Sequence, residues 1–292
     1  MTCHRDTSRR DFLKETLAFT AAVAAARASH AEGEASLAPG QLPKIRLGKL
    51  EVSRLILGSN PFWGWSHGNP QGTDQQMRDY YTDGQIMKVL DAAADQGITA
   101  VWTPCYDRWI RLWNEYEQQG GKMKFWIAQP HVDPDKMKED ITLAAKNGAK
   151  AICIQGIRVD EQMNAGKFDV VRDWLEHIKS YGLPAGMATH GARTHLVAEE
   201  KGLPTDFYHQ TLYRPDTYVR EGLEESLATI EKLTKPVVAY KALGAGRVMP
   251  AETLPYIFKR LKPKDGVCIG VYPKTRDEIA ENAGLVKKLS GR

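Results

Sequence analysis

From residue 44 onward the chain repeats one pattern: a short, mostly apolar run, a polar loop, then a stretch with apolar positions three and four apart. The runs are SRLILG (53–58), ITAVWT (98–103), KFWIAQ (124–129) and AICIQG (151–156), then PAGMAT (184–189), DFYHQT (206–211), PVVAYK (236–241) and GVCIGVY (266–272). Between them lie DGQIMKVLDAAADQG, DPDKMKEDITLAAKNG and FDVVRDWLEHIKSYG, whose spacing predicts amphipathic helices. Most of these stop at a glycine, the usual helix terminator. Strands alternating with helices predict parallel βαβ units. Eight such units in about 250 residues predict a single-domain (β/α)8 TIM barrel, spanning 44–292. A doubly wound sheet is the rival, but its Gly-rich first turn is absent: LILG is followed by Ser59-Asn60-Pro61-Phe62.

The N-terminus departs from this rhythm. Arg9-Arg10 stand after Ser8 and before Phe12-Leu13-Lys14, an Ala-rich stretch follows from Thr16 to Ala26, and small residues flank His30. A positive region, a mildly apolar region and a small-x-small cut site read as an address, and the paired arginines match the twin-arginine export pattern. Residues 1–31 are therefore expected to be a signal peptide, cut near Ala31 or after Ala28, with 32–43 as a linker. A cytosolic amphipathic helix is the other reading. Export predicts a periplasmic or secreted protein whose partners include the twin-arginine machinery. No apolar run approaches the ~18 residues of a membrane span, so no stable membrane anchor is expected.

Composition is ordinary for a globular protein, 42% hydrophobic and 26% charged. Removing 1–31 takes away five Lys/Arg and three acids, so the formal charge of +4 falls by two. With no basic stripe, nucleic acid is not an expected partner. Of the 4 cysteines, Cys3 lies in the leader, and Cys153 and Cys268 sit inside apolar runs. Those two are expected to be buried free thiols.

In a barrel of this kind the chemistry collects at the C-terminal ends of the strands. There the sequence places Asn60 and His67, then Cys105, Tyr106 and Asp107, then Gln129, His131 and Asp133. Gln155 and Arg158 follow the fourth run, His190 the fifth, His209 and Gln210 the sixth, Lys241 the seventh, and Tyr272 and Lys274 the eighth.

LGKLEVSRLILGSNPF, QGITAVWTPCYD, QGIRVD, GMATH, AYKALGAG and YPKTRDEIAEN occur in an order that resembles the aldo-keto reductases over most of residues 44–288. That resemblance implies a TIM barrel and an NADP cofactor, whose adenosine phosphate would be held by Lys274, Thr275 and Arg276, with Asn282 nearby. The family's reaction uses an Asp, a Tyr acid, a Lys that lowers the Tyr pKa, and a His that orients the carbonyl. Those positions fall on Trp102, Asp107, Gln129 and Ile157. None of the four is retained, and a phenol with a reference pKa of about 10 needs that ammonium to act as an acid near neutrality. The resemblance implies the scaffold and argues against the family's reaction.

Three histidines stand at strand ends instead: His131, His190 and His209. Imidazoles with a carboxylate suit a divalent metal such as Zn, Mn, Fe or Co, so the three are candidate ligands or acid/base groups. Each could equally cap a strand or helix end. His177 and His195 read as helix-surface residues. Lys241 is a candidate base, Schiff-base former or oxyanion binder, or else the neutraliser of Asp107 or another acid. Lys274 and Arg276 could hold NADP or another anion, or cap the last helix. The aromatic loop 59–81 brings Trp63 and Trp65, with Asn60, His67, Gln129 and Gln155, as candidate substrate contacts, or serves as a hydrophobic lid.

Three functions follow. The first is an exported enzyme acting on a small polar, carbohydrate-derived substrate by lyase, isomerase or hydrolase chemistry, metal-assisted or not. Its candidate catalytic groups are His131, His190, His209, Lys241, Tyr106 and Asp107. The second is an NADP-dependent oxidoreductase that has rebuilt its proton donor from Tyr106 or His131. The third is a non-catalytic periplasmic binding protein.

Overall fold

The structure, a computed structural model, describes residues 41–213 and 220–291. The expected signal peptide and most of the linker lie outside the described residues.

Eight parallel strands close into a barrel in the order β10-β3-β4-β5-β6-β7-β8-β9. They are β3 (Leu55–Gly58), β4 (Ala100–Pro104), β5 (Phe125–Gln129), β6 (Ala151–Ile154), β7 (Ala185–Thr189), β8 (Phe207–Thr211), β9 (Val237–Tyr240) and β10 (Gly266–Gly270). Each lies within one of the eight runs anticipated from the sequence or overlaps it to within a residue. The (β/α)8 expectation therefore holds.

Ten α-helices accompany the strands among the described residues: α1 (Asp74–Tyr80), α2 (Asp83–Asp95), α3 (Asp107–Gln118), α4 (Met137–Lys146), α5 (Gly156–Asn164), α6 (Phe168–Ser180), α7 (Thr194–Glu200), α8 (Arg220–Lys232), α9 (Pro250–Phe258) and α10 (Glu278–Ser290). Their local logic is ordinary. Thr73 and Gln76 form a capping box on α1, and Thr82 caps α2 by accepting from the Gln85 amide. No helix among the described residues is long and apolar enough to cross a membrane.

The strands are buried on both faces, and the two faces feed two cores. Leu55, Leu57, Val101, Trp126, Ile152, Ile154 and Met187 point outward and pack with the helices. In that layer Trp109, Trp113 and Trp126 are fully buried, and Trp109 stacks on Trp113 at 5.5 Å. Ile56, Ala100, Trp102, Ile127, Cys153, Ala188, Phe207, Val238, Tyr240 and Cys268 point inward and fill the barrel. As expected, Cys153 and Cys268 are buried free thiols.

An antiparallel hairpin that the run pattern does not anticipate precedes the barrel: β1 (Lys44–Leu47) and β2 (Leu50–Ser53). Its two-residue turn is Gly48-Lys49, and Gly48 (φ +60°) supplies the left-handed residue that such a turn needs. Ile45, Leu47 and Val52 join the inner core. The Gly48 end sits against Pro184 and Asp206, at the starts of β7 and β8, so the hairpin seals the N-terminal end of the barrel.

Candidate active site at the barrel mouth

The open, C-terminal end of the barrel holds a cavity of about 120 Å³ between β3, β9 and β10. Its floor is bare because Gly58 and Gly270 face each other across the β3–β10 pair, where a Cβ on Gly58 would lie 2.9 Å from the Gly270 amide. Trp102 and Tyr240 rise from the barrel interior to form its inner wall, and Trp65, Asn60, Gln129 and Lys241 complete it.

Backbone strain gathers at this cavity. Among the described residues three non-glycine positions are left-handed, His67 (φ 51°), Lys241 (φ 56°) and Ala245 (φ 55°), and all three line it. Such conformations cost of order 1–3 kcal/mol each and recur at functional sites. They lie in the loops after β3 and β9. The two loops are tied together: Arg247 donates to the His67 carbonyl at 3.0 Å and to the Gly244 carbonyl at 3.0 Å.

His67 meets the Asn60 carboxamide through Nε2 at 3.1 Å. Desolvation of the ring, then the nearby Lys241 ammonium, push its pKa down to about 4, against the opposing pull of Asp74. The residue still shows much of its surface to water, and the consequence that matters is a neutral ring at ordinary pH. Asp74 itself is held below the usual carboxylate range by the Ser66 hydroxyl and backbone N–H, which both donate to it.

His190, at the end of β7, is half-buried. Its Nδ1 lies 3.2 Å from Oδ2 of Asp160, and its backbone N–H donates to the same oxygen at 2.7 Å. The Thr189 hydroxyl donates to Oδ1. Burial works to raise the Asp160 pKa, but the His190 ring, the Thr189 hydroxyl and the His190 amide outweigh it and hold the carboxylate below its ordinary value. Gly156 makes room for this pair, since a Cβ there would lie 3.0 Å from the imidazole Cε1 and 3.2 Å from the Tyr240 hydroxyl. His190 also lines a second cavity, of about 500 Å³, with Asn164, Arg193, Thr194, Glu225 and Ser226.

The anticipated histidine cluster does not assemble. His209 points into the barrel core and is fully buried; both ring nitrogens lack a partner among the described residues, and its ring meets Trp102 edge-on at 4.2 Å. Burial pushes its pKa down to about 3. His131 packs against Tyr106 at 4.8 Å and stands 3.6 Å from Asp140, with its pKa lowered by desolvation against the pull of Asp140. Among the described residues no three His, Cys, Asp or Glu side chains stand where one ion could take them. The reason is the pleat: His209 faces the closed interior, whereas His131 and His190 lie beyond their strands at separate points of the rim.

Other expected site residues divide. Asn60, Trp65, His67, Gln129, Lys241 and Arg276 line the first cavity; Trp63 and Gln155 line neither cavity. Trp63 packs between Tyr106, at 5.0 Å, and Trp109, at 6.5 Å. Gln155 is the N-cap of α5. Desolvation, then Asp140, raise the Tyr106 pKa to about 12, and Asp107 is exposed in the first turn of α3. Lys274 and Thr275 are exposed, Asn282 is buried, and Arg276 is paired with Glu278 at 3.2 Å and Glu281 at 3.5 Å.

Two residues of the site escaped the sequence reading. Tyr240 lies inside the run PVVAYK, which marks it only as part of a strand. Asp160 lies inside α5 and not at a strand end; the signal that could have found it is an acid one turn into the helix after β6. His195, read as a helix-surface residue, is instead fully buried, stacked on Tyr208 at 4.2 Å and bonded through Nε2 to the Met187 carbonyl oxygen at 3.1 Å.

No protein-family model matches the chain, and no curated protein matches it. Among solved structures, a thiamine phosphate pyrophosphorylase from Pyrococcus furiosus matches with 12% identity and a TM-score of 0.46, over 81% of this chain and 94% of that one. The barrel assignment rests on the strand pairing itself and not on this likeness.

Proposed function

We propose that the protein is an exported enzyme on an aldo-keto-reductase-like barrel that acts on a small polar, carbohydrate-derived substrate by non-hydride chemistry of the lyase, isomerase or hydrolase type. The observation that carries this reading is the first cavity, where the aromatic planes of Trp65, Trp102 and Tyr240 share one space with Asn60, Gln129 and Lys241. Sugar rings offer C–H faces to such planes and hydroxyls to such amides, and a mostly apolar pocket with a few convergent polar groups is the usual form of a small-molecule site. Gln129 and Trp102 occupy the positions where the resembled family keeps its Lys and Asp, so hydride-linked carbonyl reduction has no support from these residues. Lys241 would bind a carboxylate or a developing oxyanion.

The test is calorimetric titration of the chain lacking residues 1–31 against hexoses, disaccharides, aldonates and uronates, with NADPH as a parallel arm. Saccharide or sugar-acid binding that Trp65→Ala weakens about tenfold supports the reading. NADPH binding without saccharide binding replaces it with the oxidoreductase reading. Export rests on Arg9-Arg10; replacing both by lysine is expected to hold the precursor inside the cell, and unchanged export would remove that part.

A further inference from the structure

His190 and Asp160 form an oriented pair that the proposed substrate site does not by itself require. We propose that His190 is the proton-transfer group of this barrel and Asp160 its positioning residue, an inference that rests on the mouth being the reactive site and adds the groups that move the proton.

The geometry supports three parts of the argument. Asp160 Oδ2 faces Nδ1 at 3.2 Å, so the carboxylate stabilises the tautomer with the proton on Nδ1 and leaves the Nε2 lone pair available. The carboxylate is fixed in turn: it accepts the His190 backbone N–H at 2.7 Å and the Thr189 hydroxyl, with the Thr194 hydroxyl 3.5 Å away. A carboxylate bound on both oxygens cannot rotate from the ring. Nε2 has no partner among the described residues, and the side chain is 22% exposed and lines the second cavity, not the first, so the lone pair is open to a part of the substrate that reaches that cavity.

The surroundings set the substrate class. The Tyr240 ring lies 5.9 Å from the His190 ring, and the second cavity is lined by the Asn164 amide, the Ser226 hydroxyl and Arg193. A polyhydroxylated molecule matches this mixture of donors and acceptors, with the reacting hydroxyl or acidic C–H held at Nε2. In the step, the Nε2 lone pair takes that proton, and the O–H or C–H bonding pair stays on the substrate atom. Asp160 stabilises the resulting imidazolium. The same proton then returns to the oxygen of the departing or isomerised group, so His190 ends as it began and no oxidant or reductant is consumed.

The experiment is long-range ¹H–¹⁵N correlation of histidine-labelled protein lacking residues 1–31, joined to diethyl pyrocarbonate acylation mapped by mass spectrometry. The expected result at pH 8 is His190 protonated on Nδ1 with a bare Nε2, and rapid acylation at His190. Asp160→Asn is expected to lose that tautomer and to slow acylation of His190 about tenfold. A wild-type His190 protonated on Nε2 overturns the proposal without any variant being needed. So does a folded Asp160→Asn protein with unchanged tautomer and acylation rate. The two readings fail separately: a wrong tautomer with intact saccharide binding removes the dyad alone, and a correct tautomer without saccharide binding removes the substrate class alone.

Discussion

The Tyr240 hydroxyl donates a 2.9 Å hydrogen bond to the carbonyl of Thr189, reaching from β9 to β7 past the intervening β8. This bond ties the inner wall of the first cavity to the residue just before His190. Removing the hydroxyl with Tyr240→Phe is expected to cost about 1 kcal/mol and to lower turnover more than it changes overall stability. Urea unfolding alongside kinetics with the substrate found by titration measures both; a variant indistinguishable from wild type in each would show that the tie has no role.

Acid should destabilise the fold through its buried histidines. His195 and His209 each have a pKa pushed to about 3 by burial, against a reference near 6.5. The unfolded chain therefore binds more protons between those values, so stability is complete above about pH 6.5 and falls as the pH drops toward 3, by of order 1 kcal/mol per pH unit for each ring. Asp140, whose pKa is raised by burial, works in the opposite direction. Denaturation midpoints at pH 7 and pH 5 should differ clearly in wild type and by measurably less in His209→Gln, the remainder being carried by His195, His67 and His131; equal losses in the two proteins would contradict the assignment.

Two glycines with opposite surroundings should respond oppositely to a methyl group. At Gly58 a Cβ meets the Gly270 amide at 2.9 Å and Cys268 Sγ at 3.2 Å, and neither strand can retreat. Gly58→Ala is expected to destabilise by about 1–3 kcal/mol and to shrink the cavity floor. At Gly84, in the first turn of α2, nothing lies within 4 Å, and Gly84→Ala should stabilise by about 0.5–1 kcal/mol. Thermal or urea unfolding of the pair decides; destabilisation by both would show that a methyl group at Gly84 meets a neighbour after all.

The loop after β3 is anchored by one aromatic and offers another. Phe62 is fully buried and packs on Tyr81 at 4.8 Å, so Phe62→Ala should cost about 3–5 kcal/mol. Trp65 lines the cavity and is only half-buried; its alanine variant should stay within about 1 kcal/mol of wild type and lose ligand binding instead. A reversal of the two phenotypes, read by unfolding and calorimetry, would show the loop's roles to be assigned the wrong way round.

How much the sequence could reveal depended on which residues announce themselves by periodicity. All eight barrel strands did, because each is buried on both faces and reads as a short apolar run bounded by polar loops. The β1–β2 hairpin did not: its strands have four residues each, and Ile45, Leu47 and Val52, with Leu50 packed beside them, are what it gives the inner core. The strand ends place Asn60, His67, Gln129, Lys241 and His190 at the mouth, where the structure also has them. They misled at His209, where the pleat turns the side chain into the closed interior, and at His195, where a short helix turns its ring onto Tyr208. Asp160 is harder to read because it lies one turn inside α5 and not at a strand end, and only folding brings it against His190 at the end of β7.

The hairpin beneath the barrel has a kinetic consequence. With Ile45, Leu47 and Val52 stoppering the far end, whatever reaches Trp102 must come and go through a single doorway. On the enzymatic reading proposed above, substrate and product would take turns at one threshold, and accumulated product should compete with each new arrival without altering the rate of the molecules already inside.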